Sequence, residues 1–188
     1  MRRRVFLCAL LLGCAGAQRP AGPPPATLAR DWMPLRVNAA WSYDVQTGIG
    51  GDMVLSTLAV VRADRDRFLV RGGNRTETYE YRPDGVVRER DYILKDPVRE
   101  GTTWTGTDGA TYTTGAREAS RTVGGQAFRD VVSVVRSSPR TRITTTTWFA
   151  ARVGVVEIRA RTESSLGTAI EVRSTIRGYS LGDEPAAE

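Results

Sequence analysis

The sequence predicts an all-β protein: a single curved antiparallel sheet or half-open barrel of about eight to ten strands, with little helix. Three observations lead there. Apolar and polar residues alternate with a period of two along several segments, as in half-buried strands. Turn signals recur at roughly the 8–12-residue spacing of a β meander. No stretch after residue 30 shows the apolar period of a long amphipathic helix.

Taken in chain order, residues 29–33 have room for one helical turn. Gly48-Ile49-Gly50-Gly51 reads as a hairpin end, since it lacks the Lys-Ser/Thr and following helix of a phosphate loop. Gly72-Gly73-Asn74 is a turn, and Asn74-Arg75-Thr76, a glycosylation sequon by spelling, is read as that turn entering a strand. Beyond it Thr76, Thr78 and Glu80 oppose Tyr79 and Tyr81. Pro83-Asp84-Gly85 before Val86-Val87 predicts a hairpin. Thr107-Asp108-Gly109 and Ser138-Pro139 mark two more turns, and Gly124-Gly125 predicts a second hairpin. From Arg140 to Phe149, threonines and Ile143 favour β structure. Val156, Ile158 and Ala160 alternate with Glu157, Arg159 and Arg161, and Ile170 to Arg177 alternates in the same way. Curling or closure of such a sheet would limit its exposed edges.

The chain of 188 residues is long enough for one domain with its own core. Residues 1–13 have the layout of an export signal, with Met1-Arg2-Arg3-Arg4 as the basic start and Val5 to Leu12 as the apolar run. That run is too short to span a bilayer. Leu11-Leu12-Gly13-Cys14 resembles the lipobox of bacterial lipoproteins. The resemblance implies a diacylglycerol on the Cys14 thiol, cleavage before it and acylation of the new amino terminus. Ala15-Gly16-Ala17 offers a competing cut before Gln18 that would release a soluble secreted protein. The lipobox is favoured because Cys14 lies at the boundary of the apolar run. Residues 14–30 then form a lipidated, proline-rich tether, 31–181 the β domain, and 182–188 a disordered tail. The expected location is the bacterial cell envelope, on the outer membrane by a lipid anchor, with the domain in the periplasm or at the cell surface.

Composition excludes several chemistries. There is no histidine, and Cys8 and Cys14 both fall in or beside the leader. Histidine-assisted serine or cysteine catalysis and zinc sites of the Cys/His kind are therefore ruled out. No metal site and no cofactor is expected, and no enzyme activity. The acid pairs Asp64 with Asp66 and Glu89 with Asp91 lie among arginines near turns, where surface ion pairing is the plainer reading than glycoside cleavage. The net charge is +6, and of 27 basic residues only Lys95 is a lysine. Acidic residues are interspersed with the arginines, so no nucleic-acid partner is expected.

The aromatic residues are spread over many predicted strands and would converge inside a curved sheet. Trp41, Tyr43, Trp104, Trp148 and Phe149 are the expected lining of any apolar cavity there. The leading expectation is a membrane-anchored envelope lipoprotein whose β domain binds a protein partner or scaffolds an assembly. The alternative is a carrier of lipid or lipoprotein with an apolar cavity. An empty, apolar concavity distinguishes the carrier from the filled core of a scaffold.

Three ordered segments extend the reading. Trp32 to Tyr43, with Trp41-Ser42-Tyr43, resembles the PL-x-x-G-x-x-W-x-Y opening of a group of uncharacterised bacterial outer-membrane lipoproteins. Thr122 to Val132 resembles their V-x-a-G-x-F-x-d-v-v segment, and Trp148 to Val156 their Y-a-x-G-V-G-x-V segment. Asn38 stands where their first glycine is usual. The resemblance spans about residues 31–178 and implies an antiparallel β domain on a lipoprotein. It also suggests a distant fold analogy with half-barrel lipoprotein carriers of the LolA/LolB type.

Overall fold

The computed structural model describes residues 26–48, 50–163 and 169–182. The leader, Cys14, the alternative cut after Ala17 and the tail from residue 183 lie outside the described residues. A four-residue helix, α1 (Ala29–Trp32), precedes twelve strands. They are β1 (Ala39–Thr47), β2 (Met53–Asp64), β3 (Arg67–Gly72), β4 (Arg75–Arg82), β5 (Gly85–Arg88) and β6 (Asp91–Lys95), then β7 (Thr103–Thr105), β8 (Thr111–Val123), β9 (Gln126–Ser138), β10 (Ile143–Ala150), β11 (Gly154–Glu163) and β12 (Ala169–Leu181).

All twelve form one antiparallel sheet in the order β6-β5-β4-β3-β2-β1-β12-β11-β10-β9-β8-β7. The first and last strands pair at its centre, Trp41 opposite Tyr179 and Tyr43 opposite Ile176. Six strands fan out to each side as a meander. The all-β class is as expected, but the strand number is twelve rather than eight to ten. The excess comes from β6 and β7, which have only five and three residues. Segments so short carry too few residues to display an alternation.

The sheet curls until its edges β6 and β7 face each other. No ladder joins them among the described residues. Instead Trp104 Nε1 donates to the Tyr92 carbonyl at 2.9 Å, and the Thr107 amide donates to Asp91 Oδ1 at 2.6 Å. The result is a half-open barrel with a side-chain seam, in which the edge strands are partly satisfied by each other's neighbourhood.

One end of the barrel is stoppered by the segment around α1. Ala26, Ala29, Trp32, Met33 and Leu35 are all buried. The expected start of the domain at residue 31 thus falls inside a packed segment, because small residues at 26 and 29 fit against the barrel end. Asp96 accepts the Ala29 amide at 2.7 Å, and Tyr81 bridges the Met33 carbonyl and the Leu35 amide at 2.7 and 2.5 Å. The Asp31 carbonyl accepts the Arg152 amide at 2.6 Å, and the Asp130 carbonyl accepts the Trp32 indole at 3.2 Å. The chain then enters β1 through Asn38, whose φ of 66° is the left-handed region that glycine and asparagine tolerate best.

The β8–β9 hairpin bends and crosses the convex face of the sheet. A register shift in β8 between Thr114 and Arg117, together with Asp130 at φ 55° in β9, marks the bend. Past it, Arg121 reaches Glu157 on β11, and Gln126 donates to the Arg177 carbonyl on β12. Val123 and Phe128 are buried beneath this strap.

Candidate functional site

The inside of the sheet is hollow. A cavity of about 280 Å³ lies between the stopper and the far end of the barrel. Met33 forms its floor. Trp41 and Tyr43 of β1, Leu58 of β2, Val70 of β3, Val155 and Ile158 of β11 and Phe149 of β10 supply apolar wall. Tyr79, Arg88, Asp91, Tyr112 and Arg136 line the side nearest the seam, with Thr145 beside Arg136 and Thr147 next along β10.

Alternation along each strand explains this placement. Trp41 and Tyr43 are two apart on β1 and point to the same face. Their polar tips reach across to carbonyls around Gly154: Trp41 Nε1 donates to Val153 at 2.6 Å and Tyr43 Oη to Val155 at 2.9 Å. Burial pushes the Tyr43 hydroxyl well above its usual pKa, with nearby Tyr79 adding to the effect, so it stays a neutral donor. Burial likewise pushes Tyr81 up to about 12. Tyr79 is raised too, its burial outweighing the attraction of Arg88.

Of the five residues expected to line a cavity, Trp41, Tyr43 and Phe149 are brought together in its wall. Trp104 and Trp148 are placed elsewhere. Trp104 sits on the edge strand β7, stacked on Tyr112 at 5.3 Å, and closes the seam. Trp148 faces the convex side under the strap, with the Arg121 and Arg159 guanidinium groups 4.2 and 5.2 Å from its ring. Neighbours on one strand point to opposite faces, so Trp148 and Phe149 do not share a wall. Leu58, Val70, Tyr79 and Tyr112 were not singled out from the sequence, although Tyr79 and its neighbour Tyr81 stand out in an alternating segment. Of the second acid pair, Glu89 Oε1 accepts the Thr78 amide at 2.6 Å, whereas Asp91 belongs to the seam. Among the described residues no group of three His, Cys, Asp or Glu side chains is placed to hold a metal.

The convex face carries a second cluster, with a structural part. Glu157, 1% exposed, accepts from Arg121 at 2.9 Å, from Arg159 at 2.8 Å and from Arg173 at 2.8 Å. Burial opposes its ionisation, but the hydrogen bonds from Arg121 and Arg159 and the charges of Arg159 and Arg173 outweigh it and hold the carboxyl below its ordinary value. A depressed folded pKa contributes stability that is complete above the unfolded value of about 4.3 and is lost as pH falls through the folded one. Glu157→Gln is therefore expected to cost about 2 kcal/mol at neutral pH, since three guanidinium groups lose their anion. Melting temperatures of variant and wild type should converge only as pH falls through the depressed folded value, beneath the ordinary carboxylate range. Equal melting temperatures at neutral pH would show that the cluster contributes nothing.

This geometry defines a half-open antiparallel β barrel with a stoppered base, an inner apolar cavity and a strapped convex face. No family model and no curated protein matches the chain. Among solved structures it is similar to a Bacteroides fragilis protein presumed to be exported and described as having a YmcC-like fold. Sequence identity is 8%, the match covers 77% of this chain and 96% of that one, and the TM-score is 0.42.

Proposed function

We propose that this chain is an exported, non-enzymatic envelope lipoprotein whose curled sheet holds an apolar ligand group in its inner cavity. The hollow interior carries this reading. Its volume lies at the small end of ligand sites, and its wall is mainly apolar and aromatic with a few polar groups at one side, the composition expected of such sites. A scaffold stabilised by its core alone would gain by filling that space. Partner binding, the leading expectation from sequence, accordingly moves to second place.

A neutral fluorescent probe such as N-phenyl-1-naphthylamine tests the cavity. Saturable binding is expected, and Leu58→Trp, which fills the space from β2, should weaken it about tenfold or more. Binding untouched by Leu58→Trp would place the probe elsewhere and remove the support. The anchor is tested separately: Cys14→Ser should move the protein from the membrane to the soluble fraction of cells. A variant that still sediments with membranes would refute lipidation at Cys14.

A protein partner remains a second reading because of one observation. Met53, Val54 and Leu55, 64%, 61% and 58% exposed, stand at the tip of β2 near the far end of the barrel, and Ile170 at the start of β12 is 54% exposed. Met53 and Leu55 are two apart on β2 and share a face, and exposed apolar pairs of this kind mark interaction surfaces. Met53→Glu with Leu55→Glu should then release a co-isolated envelope protein without changing probe binding.

A further inference from the structure

We propose that the ligand held in the cavity is an anionic amphiphile, its carboxylate or phosphate paired with Arg88 and its chain laid against Trp41, Tyr43 and Phe149. This rests on the cavity reading above and adds the chemical class of the ligand.

Three charged side chains line the hollow: Arg88, Asp91 and Arg136. Two are already engaged at the seam. Asp91 Oδ1 accepts the Thr107 amide at 2.6 Å. Arg136 is ion-paired with Asp108 and donates to the Tyr112 hydroxyl at 3.2 Å. Arg88 differs. It stands opposite Tyr79 in the β4–β5 ladder, on the inner face, and among the described residues no carboxylate forms an ion pair with it. Its neighbours are the Tyr79 hydroxyl, the Glu77 carboxylate beside that hydroxyl, and Asp91, which stands opposite it in the β5–β6 ladder but is spent on the Thr107 amide. Arg88 is exposed, so the unliganded protein keeps the guanidinium solvated.

A bound ligand changes that balance. A purely apolar molecule filling the hollow would strip water from the inner side of the guanidinium and leave it only the Tyr79 hydroxyl there, which is costly. A ligand with an anionic end replaces the lost water by charge-assisted hydrogen bonds, and the planar fork of arginine matches carboxylate and phosphate oxygens in pairs. The positions agree with such a molecule: Met33 and the aromatic wall lie toward the stopper, while Arg88 lies on the seam side and is exposed to solvent. The same argument makes Arg88 a specificity element that discriminates against neutral chains of equal length.

The test measures binding of three twelve-carbon amphiphiles to the intact protein by displacement of the neutral naphthylamine probe. They are dodecanoate, dodecanol and lauroyl lysophosphatidylglycerol. The two anions are expected to bind about tenfold or more tighter than dodecanol, and whichever is tighter identifies the carboxylate or the phosphate as the preferred end. Arg88→Gln should bring the anions to the affinity of dodecanol while dodecanol itself changes little, and Arg88→Lys should restore part of the preference. Arg71→Gln, on the exposed face of β3, should keep it. Circular dichroism checks that each variant is folded. Equal affinities of wild type for dodecanol and the anions, or a preference that survives Arg88→Gln, would overturn the assignment while leaving the cavity reading intact. Failure of all three to displace the probe would overturn both.

Discussion

Trp32→Ala is expected to lower stability by about 3–5 kcal/mol, the cost of deleting a fully enclosed indole. Trp32 has no exposed surface. It is the largest side chain of the stopper, its N–H is spent on the Asp130 carbonyl, and the Arg117 guanidinium covers its ring at 5.1 Å. The Asp130 carbonyl keeps the Ala151 amide as a donor, so the loss is mainly one of packing rather than of an orphaned acceptor. For a chain of this size each kcal/mol moves the melting temperature by roughly 2–4 °C, which predicts a fall on the order of 10 °C in a circular dichroism melt. Because Met33 is adjacent and forms the cavity floor, probe binding should weaken as well. Trp148→Ala, on the convex face and half-buried, should cost less and leave probe binding unchanged. The reverse order of effects would mean that the strap rather than the stopper holds the barrel closed.

Gly154→Val should be nearly as damaging, at about 3 kcal/mol or more. Two effects combine. Gly154 has φ 107°, a backbone conformation that a β-branched residue adopts only under strain. A Cβ there would sit 3.1 Å from Trp41 Nε1, the atom that donates to Val153. Trp41, enclosed on all sides, has nowhere to retreat without displacing Tyr43 or Phe149 from the wall. Gly178→Ala in β12 is the control: nothing lies within 4 Å of its added methyl, and a change within about 0.5 kcal/mol is expected. A tolerated Gly154→Val, measured by urea unfolding, would show that the Trp41 contact contributes little.

These two positions also show what was legible in the sequence. The segments singled out by resemblance meet in space: Trp32 and Trp41-Ser42-Tyr43 contact the backbone at Asp130, Val153 and Val155, and Phe128 to Val132 forms the bent strand that places Asp130. The hairpins at Pro83-Asp84-Gly85 and Gly124-Gly125 were readable because turn chemistry is local. So was the alternation of Ile170 to Arg177, which became β12. The pairing of β1 with β12 was not readable, because an alternating pattern names a face and never a partner. Nor was the strap, whose bend at Asp130 is answered in β8 only by Gly115, a lone glycine in a strand that names no direction of bending. The site was half legible for a related reason. An aromatic side chain advertises burial, but its side of the sheet follows from register. Trp148 and Phe149 are adjacent, so one strand had to send them apart.

The central pairing of β1 with β12 has a consequence for how the chain can be connected. Every other neighbouring pair is a hairpin between consecutive strands, and the segment from Asp96 to Thr102 merely crosses the seam. A circular permutant opened at Glu100 and joined from residue 182 to residue 26 by a flexible linker would keep all eleven strand pairings. It would also turn the one pairing of high sequence separation into a pairing of consecutive strands, leaving only the seam, strap and stopper contacts non-local. Such a chain should refold faster than the natural one at similar stability, since loop-closure entropy governs the rate for non-local sheets. In the natural chain the sheet cannot be completed until the last strand has been delivered.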